Sequence, residues 1–457
     1  MEKSFPIDLF SLFITRPTIS KWATYTNQHF RIHGKSDEDT SVDELFAYLG
    51  VRIFMSIVHL PEVHDYFTKE LGMTFVTERF SRDRFYSLNT NFCITDPSVD
   101  GVDLNNPIGM CSELMLFLNK KFPEHFTPSQ HLTFDETMVA YKGYSPIRQY
   151  IPSKPHKFGF KVWCLSSSCY LLQFSLYEGA DDTIHKQSKT HSLVVSFMLP
   201  YHRKNHILYI DNLFSSPVLM DELAGFGIAV CGSVRLNRSG MPPDTQINKS
   251  VLKSMKHGET KYYQKDNVNL LLWKDQNVLK LVFNHVDIGT IRATVDRWLS
   301  GGRRIKMFVH PAVIQYFKHA RYVDVINQLH YSYPLNRQTT RSCTPMIWWL
   351  IDMCIVNSFI LYRTMHPKAK HLDFRKELMT ILVSKYIRAS VTSRKRPAPV
   401  DDVAIAAEHY SMSSGVRGDC VYCKSQSHTR SRVLYICAKC RVYLCVGDCF
   451  SAYHTTR

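Results

Sequence analysis

The stretch Ile207-Leu208-Tyr209-Ile210-Asp211-Asn212-Leu213-Phe214-Ser215-Ser216 joins an apolar run, typical of a buried strand, to an abrupt aspartate. A second stretch repeats this pattern, since His131-Leu132-Thr133-Phe134 runs directly into Asp135-Glu136-Thr137. An unpaired buried charge is costly, whereas a carboxylate at the end of a strand is well placed to hold a metal ion. Either aspartate alone could instead cap the element that follows. Two strands that each deliver an aspartate predict a metal-dependent site assembled from distant parts of the chain.

The composition is that of a large, basic protein with enough apolar residues for a substantial core. The chain has 457 residues, 45% of them hydrophobic, which is sufficient for more than one domain. Lys and Arg number 56 against 40 Asp and Glu, and the formal charge of +16 is a general reason to consider nucleic acid as a partner. The longest apolar stretch, Pro345–Tyr362, contains Asp352 and Asn357, so it predicts a buried core helix rather than a membrane span.

The hydrophobic pattern changes at His131. Before it, apolar residues recur at every fourth position from Leu45 to Ile57, behind the capping residue Ser41, and predict helical structure. After it, strand patterns followed by alternating strand and helix predict a mixed α/β sheet. Short strand-like pieces between about residues 240 and 300 predict an insertion. Helical patterns then resume and end before a basic linker around Arg394-Lys395-Arg396.

The end of the chain is rich in cysteine, with six of the 13 cysteines between Cys420 and Cys449. This clustering argues for reduced thiols and a metal site rather than a disulfide framework. Tetrahedral zinc takes four sulfur or nitrogen ligands, and two CxxC pairs are bent toward one metal. The candidate ligands are Cys420, Cys423, Cys437, Cys440, Cys445, Cys449 and His454. One zinc ion needs four ligands and two need eight, and the candidates for an eighth are His428 and Asp448.

Basic residues stand between these ligands, namely Arg430, Arg432, Lys439 and Arg441. Such interleaving suits a module that contacts DNA. A RING-like module for protein binding uses similar cysteine spacing, so the spacing leaves both functions open.

Several motifs, in order along nearly the whole chain, resemble those of piggyBac-type transposases. They are Phe46-Ala47-Tyr48-Leu49-Gly50, Ser81-Arg82-Asp83-Arg84-Phe85, Asp135-Glu136-Thr137-Met138, Pro152-x-Lys154-Pro155-x-Lys157-Phe158-Gly159-Phe160-Lys161, Asp211-Asn212-Leu213-Phe214, Gly232-Ser233-Val234-Arg235-x-Asn237-Arg238 and the tail Leu444-Cys445-x-x-x-Cys449-Phe450 with Tyr453-His454. The resemblance implies an α/β protein with an RNase H-like catalytic core, an insertion domain, a mainly helical N-terminal region for dimerisation and DNA binding, and a small C-terminal zinc-binding cysteine-rich domain. The implied segments are residues 1–125 (helical region), 126–240 (first part of the core), 241–300 (insertion), 301–390 (last part of the core), 391–418 (basic linker) and 419–457 (zinc-binding domain).

The resemblance also implies a DDD-type enzyme that cuts and pastes DNA at TTAA sites through nicking, hairpin formation and strand transfer. Its catalytic carboxylates would be Asp135, Asp211 and Asp324, which together would hold two Mg²⁺ ions. Asp324 stands where the family has a Gly-Gly-Val-Asp motif, here Arg321-Tyr322-Val323-Asp324. Asn327 replaces a further family aspartate, keeping one carbonyl oxygen but losing the charge. The alternative is therefore a DNA-binding protein derived from a transposase that no longer cuts, and a third hypothesis is a zinc module for protein interaction or ubiquitin ligation.

The expected partner is double-stranded DNA, namely transposon terminal inverted repeats and the TTAA target, bound by a homodimer without membrane association. The residues predicted to contact DNA are Lys154, Lys157, Lys161, Arg235, Arg238, Arg337 and Arg341. The expected cofactors are Mg²⁺ and one or two Zn²⁺ ions. The Arg394-Lys395-Arg396 cluster predicts nuclear localisation.

Overall fold

The computed structural model describes residues 5–34, 39–99, 103–104, 106–179, 189–241, 249–289, 293–298, 302, 304–337, 339–386, 409, 411–426 and 430–455. Contacts divide the chain into two units, residues 1–386 and residues 387–457.

Helices make up the start of the first unit. They are α1 (Pro6–Phe10), α2 (Arg16–Ile32), α3 (Val42–Ile57), α4 (Thr74–Thr77), α5 (Arg82–Asn91) and α6 (Pro107–Glu124). Helix α3 begins as predicted, because the hydroxyl of Ser41 accepts a hydrogen bond from the Glu44 amide at 3.1 Å. Among the described residues no strand precedes His131, which confirms the helical prediction for this region.

A nine-stranded mixed sheet forms the centre of the first unit. Its strands are β1 (His131–Ala140), β2 (Gln149–Tyr150), β3 (Phe158–Ser167), β4 (Tyr170–Leu176), β5 (Ile207–Ile210), β6 (Ala229–Ser233), β7 (Thr260–Lys265), β8 (Val268–Lys274) and β9 (Val278–Phe283). They lie in the order β2-β3-β1-β5-β6-β9-β8-β7, and β4 pairs with β3. Helices α7 (Lys189–Met198) and α8 (Pro217–Gly225) connect the central strands. The predicted mixed α/β content is confirmed.

The central strands β1, β5 and β6 run parallel, whereas β3 and β9 pair with them antiparallel. In the β1–β5 pair, Phe134 lies opposite Ile210. Asp211 follows the last residue of β5, and Asp135 occupies the corresponding next position of β1. The expectation that the first strand also ends at its aspartate is wrong, because β1 continues to Ala140 through its antiparallel pairing with β3. Asp135 therefore lies within β1, beside the carboxyl end of β5. Ligands bind outside such strand ends in open α/β sheets.

The interval predicted as an insertion does not stand apart from the sheet. After α9 (Lys249–Ser254), strands β7, β8 and β9 extend the sheet beyond β6. A separate hairpin of β10 (Ala293–Trp298) and β11 (Arg304–Val309) follows and runs past residue 300. The domain boundary at that point remains a prediction.

Four helices complete the first unit: α10 (Pro311–His319), α11 (Tyr322–Ser332), α12 (Cys343–Met365) and α13 (His371–Val383). Helix α12 is long and apolar enough to cross a membrane, but 89% of its most apolar window is buried within the protein. It packs against α6, α1 and β4. The prediction of a buried core helix is therefore confirmed.

The second unit contains β12 (Ser411–Asp419), α14 (Val421–Gln426), β13 (Arg432–Cys437) and α15 (Asp448–Thr455). Strands β12 and β13 form an antiparallel pair. Strand β12 begins within the segment predicted as a linker, residues 391–418. The Arg394-Lys395-Arg396 cluster lies outside the described residues.

Candidate catalytic cleft and candidate metal centres

The three predicted aspartates line one cleft of about 390 Å³. Asp135 continues along β1, Asp211 follows β5, and Asp324 comes from the first turn of α11. Among the described residues, only two groups in the second unit hold three or more His, Cys, Asp or Glu ligand atoms within 4.8 Å of one another. The aspartates are thus spread more widely than ligands around a single ion.

Asp135 is held in a setting that disfavours its charge. Burial, together with the nearby charges of Glu136 and Asp324, raises the pKa of Asp135 to about 8, although Lys154 acts in the opposite direction. The Glu136 amide donates a hydrogen bond of 2.8 Å to the Asp135 carboxylate. Crowded carboxylates in a cleft are typical of functional sites, and a divalent cation would offset their mutual repulsion.

Glu136 is a fourth carboxylate of this cleft, and the sequence analysis missed its place there. Its carboxylate lies 3.2 Å from the Lys154 ammonium, which also donates to the Glu136 carbonyl at 3.2 Å. Burial opposes the charge on Lys154, yet the charges of Glu136 and Asp135 raise the pKa of Lys154 above its ordinary value. Lys154 is therefore a charged residue of the cleft itself. The signal available in the sequence was that Glu136 adjoins Asp135.

The other two lysines of the same motif face elsewhere. Lys157 is exposed to solvent. The Lys161 ammonium lies 3.8 Å from the centroid of the Trp163 ring, and burial lowers the pKa of Lys161. Among the three lysines, only Lys154 forms an ion pair with a cleft carboxylate, although the charges of Glu136 and Asp135 also act to raise the pKa of Lys161 against the effect of its burial.

The loop after β5 is fixed by short polar contacts. The Ser233 hydroxyl donates to the Asp211 carboxylate at 2.8 Å, and Arg235 donates to the Asn212 side chain at 3.2 Å. Arg238 donates to the carbonyls of Asn212 and Leu213 at 2.9 Å and 2.8 Å. These contacts hold Asp211 at the mouth of the cleft. Contact of the two arginines with DNA remains a prediction.

Gly232, on β6, permits the close approach of this loop. A Cβ atom at that position would lie 2.3 Å from the Ser215 hydroxyl and 2.8 Å from the Ile210 carbonyl. Only glycine therefore fits between the end of β5 and the loop that follows Asp211.

Asn327 points toward β1 rather than into the cleft. The Thr137 hydroxyl donates to the Asn327 carbonyl oxygen at 2.6 Å, and Asn327 is absent from the residues that line the cleft. One helical turn further on, Tyr331 donates to the Met138 carbonyl at 2.7 Å. The two side chains fasten α11 to β1.

Arg337 and Arg341, both predicted to contact DNA, donate to the protein backbone. Arg337 donates to the Leu60 carbonyl at 2.8 Å and to the Tyr66 hydroxyl. Arg341 donates to the Thr90 carbonyl at 2.9 Å. These bonds fix the segment after α11 against the helical region, and a DNA contact of either residue stays a prediction.

The second unit brings eight ligand side chains into two groups of four. One group is Cys420, Cys423, Cys445 and Cys449, and the other is His409, Cys437, Cys440 and His454. The expectation that the two CxxC pairs meet at one metal is wrong, because each pair belongs to a different group. The eighth candidate ligand is His409, which the sequence analysis missed. Asp448 belongs to neither group, and His428 lies outside the described residues.

The donor chemistry of both groups suits zinc. Four thiols, or two thiols with two imidazoles, are tetrahedral zinc sets. Although burial raises the pKa of the Cys420 thiol, hydrogen bonds from the Cys423 and Cys445 backbone lower it to about 7. In the same group, hydrogen bonds with the Cys449 and Cys420 thiols raise the pKa of Cys423 to about 12. The number and type of the donors, rather than the pKa of one thiol, therefore favour a metal.

The whole chain is similar to known proteins. A family model described as Transposase IS4 matches residues 5–359. Human PiggyBac transposable element-derived protein 2 is 25% identical over 441 residues, which cover 92% of this chain and 72% of that protein. Human PiggyBac transposable element-derived protein 3 is 23% identical over 467 residues, covering 98% of this chain and 76% of that protein. The cryo-EM structure of a piggyBac transposase synaptic complex with hairpin DNA has the same fold, with a TM-score of 0.72 at 22% identity, over 96% of this chain and 95% of that one.

Proposed function

Because the chain belongs to the family of piggyBac-type transposases, enzymes that cut DNA and transfer strands, we propose that it is a metal-dependent cut-and-paste DNA transposase. The reaction would comprise nicking at transposon ends, hairpin formation and strand transfer into TTAA sites. The observation that carries the proposal is that Asp135, Asp211 and Asp324 line one cleft although they lie far apart in sequence. The parallel strands that present the first two aspartates, flanked by antiparallel β3, support an RNase H-like core.

The donor set of the cleft fits Mg²⁺, since carboxylate oxygens are its preferred protein ligands. Bound there, Mg²⁺ would activate the attacking water or 3′-hydroxyl and stabilise the leaving oxygen. The protein contributes position: Ser233 fixes the Asp211 carboxylate at 2.8 Å, and the Glu136 amide fixes that of Asp135 at 2.8 Å. The Lys154 ammonium adds a positive charge where a DNA phosphate would approach the carboxylates.

The alternative of a DNA-binding protein without cleavage rests on Asn327. The Asn327 carbonyl oxygen is engaged by Thr137, outside the cleft lining. We therefore expect Asn327→Asp to change the cleavage rate by less than about threefold, the range of a substitution away from the reacting groups. The measurement is Mg²⁺-dependent cleavage of DNA carrying the terminal repeats of the element that encodes the chain, with flanking TTAA. Wild-type protein that binds this DNA without cutting, together with cutting by Asn327→Asp, would establish the alternative.

Lys154 and Lys157 are expected to act differently although three positions separate them. Lys154→Met should lower the cleavage rate by about 10²-fold with little change in DNA affinity, because its ammonium sits among the cleft carboxylates. Lys157→Met should weaken DNA affinity and reduce the slope of log affinity against log salt by about 0.9, as for one lost phosphate contact. Rates at saturating DNA and affinities at several salt concentrations separate the two effects. Equal effects of both variants would contradict the assignment.

For the second unit we propose two zinc ions and contact with transposon-end DNA. The basic residues between the ligands support a DNA contact, as Arg430, Arg432, Lys439 and Arg441 outnumber the acids Asp419 and Asp448. Homodimerisation and nuclear localisation are further parts of the proposal, the latter based on the Arg394-Lys395-Arg396 cluster.

A further inference from the structure

Helix α11 has one face buried in the protein and another directed toward the cleft and β1. Its Val323, Ile326 and His330 side chains are buried, whereas Asp324 lines the cleft and Asn327 bonds to β1. The first turn carries Asp324 and begins without a side-chain cap, since the N-cap residue makes no such bond. Asn327 and Tyr331 fasten the helix to β1, and further contacts hold its opposite, buried face and its far end.

A buried polar trio holds that opposite face. The His330 imidazole lies 2.5 Å from one oxygen of Asp352 on α12, and Arg375 of α13 donates to the other oxygen at 2.6 Å. Asp352 and Arg375 are both 0% exposed and His330 is 6% exposed. Burial would raise the pKa of Asp352, but the Arg375 guanidinium and His330 hold the pKa of that carboxyl below its usual value. The trio thus joins three helices, with both carboxylate oxygens of Asp352 hydrogen-bonded.

The same arginine also holds the C-terminal end of α11. Arg375 donates to the carbonyl of Tyr333, the residue that ends the helix, at 3.2 Å. Two residues later, Arg52 of α3 donates to the Leu335 carbonyl at 2.6 Å. The helix is thus fastened at its far end by two buried guanidinium groups, while the end with Asp324 faces the cleft.

Stability alone does not explain such a trio. Replacing a buried ion pair with apolar residues is often neutral or stabilising, because desolvation costs about as much as the attraction returns. Apolar contacts are not directional, so they fix the rotation of a helix less strictly than a hydrogen bond does. Each residue of a helix advances about 1.5 Å and turns by about 100°, so a slip of one residue at His330 would turn Asp324 out of the cleft. The hydrogen bond from His330 to Asp352 opposes that slip, and the Arg375 bond fixes the orientation of the Asp352 carboxylate that His330 meets. The bonds of Asn327 and Tyr331 to β1 act in the same direction.

We propose that His330, held by the buried Asp352–Arg375 pair, is a positioning residue that sets the rotation and height of α11 and so places Asp324 as a metal ligand. This inference rests on the proposed metal-dependent function. His330 follows Asp324 by six residues, which corresponds to a rise of about 9 Å along the helix. Residues that orient metal ligands typically change metal affinity by about 10–100-fold when replaced.

The test measures Mn²⁺ affinity of the full-length protein by electron paramagnetic resonance, with thermal unfolding and hydrogen exchange in parallel. Mn²⁺ bound at the cleft is identified as the part that disappears in Asp211→Asn. We expect His330→Ala to weaken this affinity by about tenfold and to speed exchange of the α11 amides. Asp352→Asn, which keeps the shape of the side chain, should act in the same direction.

The matched control is Asn357→Ala on α12. Asn357 is also 0% exposed, but it bonds to both backbone groups of Leu171 on β4 at 2.9 Å rather than to α11. Asn357→Ala should lower the unfolding temperature but leave the Mn²⁺ affinity within about twofold of wild type. Because Asn357 does not orient a metal ligand, its loss should not cause the 10–100-fold change expected for residues that do. The inference is overturned if His330→Ala binds Mn²⁺ like wild type, if Asn357→Ala weakens binding equally, or if no Mn²⁺ binding depends on Asp211. Wild-type protein that binds Mn²⁺ at the cleft but cuts no DNA would refute the proposed function and leave this inference standing.

Discussion

Asp211→Asn is expected to abolish metal-dependent DNA cleavage, lowering the rate by at least about 10³-fold, because a metal-holding carboxylate supplies several kcal/mol of transition-state stabilisation. Asparagine has nearly the same shape and can still accept the hydrogen bond from Ser233 that the carboxylate accepts at 2.8 Å. The loop after β5 should therefore keep its conformation. The measurement is formation of nicked and hairpin products from DNA with terminal repeats and flanking TTAA, with Mg²⁺ present.

The matched control is Asp221→Asn, an equal change of charge at an exposed position of α8. It should cut at the wild-type rate, and both variants should bind the DNA and unfold at the wild-type temperature. If Asp211→Asn cuts as fast as the control, the cleft is not the catalytic site. Binding without cutting by all three proteins would instead support the transposase-derived DNA-binding protein.

Much of the cleft could be predicted because an apolar run followed by an aspartate is easily recognised in the sequence. An apolar run that meets an aspartate indicates a buried strand and the side chain that it presents, and this pattern drew attention to Asp135 and Asp211. Only β5 ends there, since β1 continues past Asp135 to Ala140. The adjacency of the two aspartates then follows from the register, in which Phe134 pairs with Ile210. Asp324 carries no such signal, since it lies on a helix and was assigned through the resemblance alone.

The remaining parts of the cleft depend on contacts between distant segments. Lys154, in the segment between β2 and β3, lies 3.2 Å from the Glu136 carboxylate on β1, and hydrophobic periodicity gives no information about that contact. In the sequence, Asn327 drew attention because it lacks the charge of the family's aspartate. In the structure its side chain accepts a hydrogen bond from Thr137, 190 residues away, and so joins α11 to β1. Side chains of this kind are assigned only when both partners are placed in three dimensions.

In the cysteine-rich unit, too, the sequence pattern indicates the candidate residues but not which of them meet. Spacing identified all seven candidate ligands between Cys420 and His454 that the structure places in the two groups. It did not show their grouping, because the ligands that meet are decided by the three-dimensional path of the chain, which places the two CxxC pairs in different groups. His409 was missed because it precedes β12, in a stretch interpreted as a linker. The need for an eighth ligand was the only signal.

Purified protein is expected to contain two zinc ions per chain, one for each group of four ligands. Structural zinc contributes about 10–16 kcal/mol to the folding of small metal-binding domains. Among the described residues of this unit, the buried apolar core consists of Cys420, Cys437 and Leu444, with partly buried side chains packed against it, and it is too small to replace that contribution. Chelation should therefore unfold the second unit, seen as loss of protection from trypsin between Ser411 and Thr455, while the first unit stays folded.

His409→Ala should lower the zinc content from two ions to one, because it removes a ligand only from the group with Cys437, Cys440 and His454. His428→Ala is the matched control, since it removes the other histidine that could have been the eighth ligand, and it should retain two ions. Zinc is counted by mass spectrometry after dialysis against a weak chelator. The reverse result, with zinc lost from His428→Ala and kept by His409→Ala, would move the eighth ligand to His428. The pairing of His409 with its group is decisive here because the four-cysteine group is complete without it, so a half loss identifies which centre was disrupted.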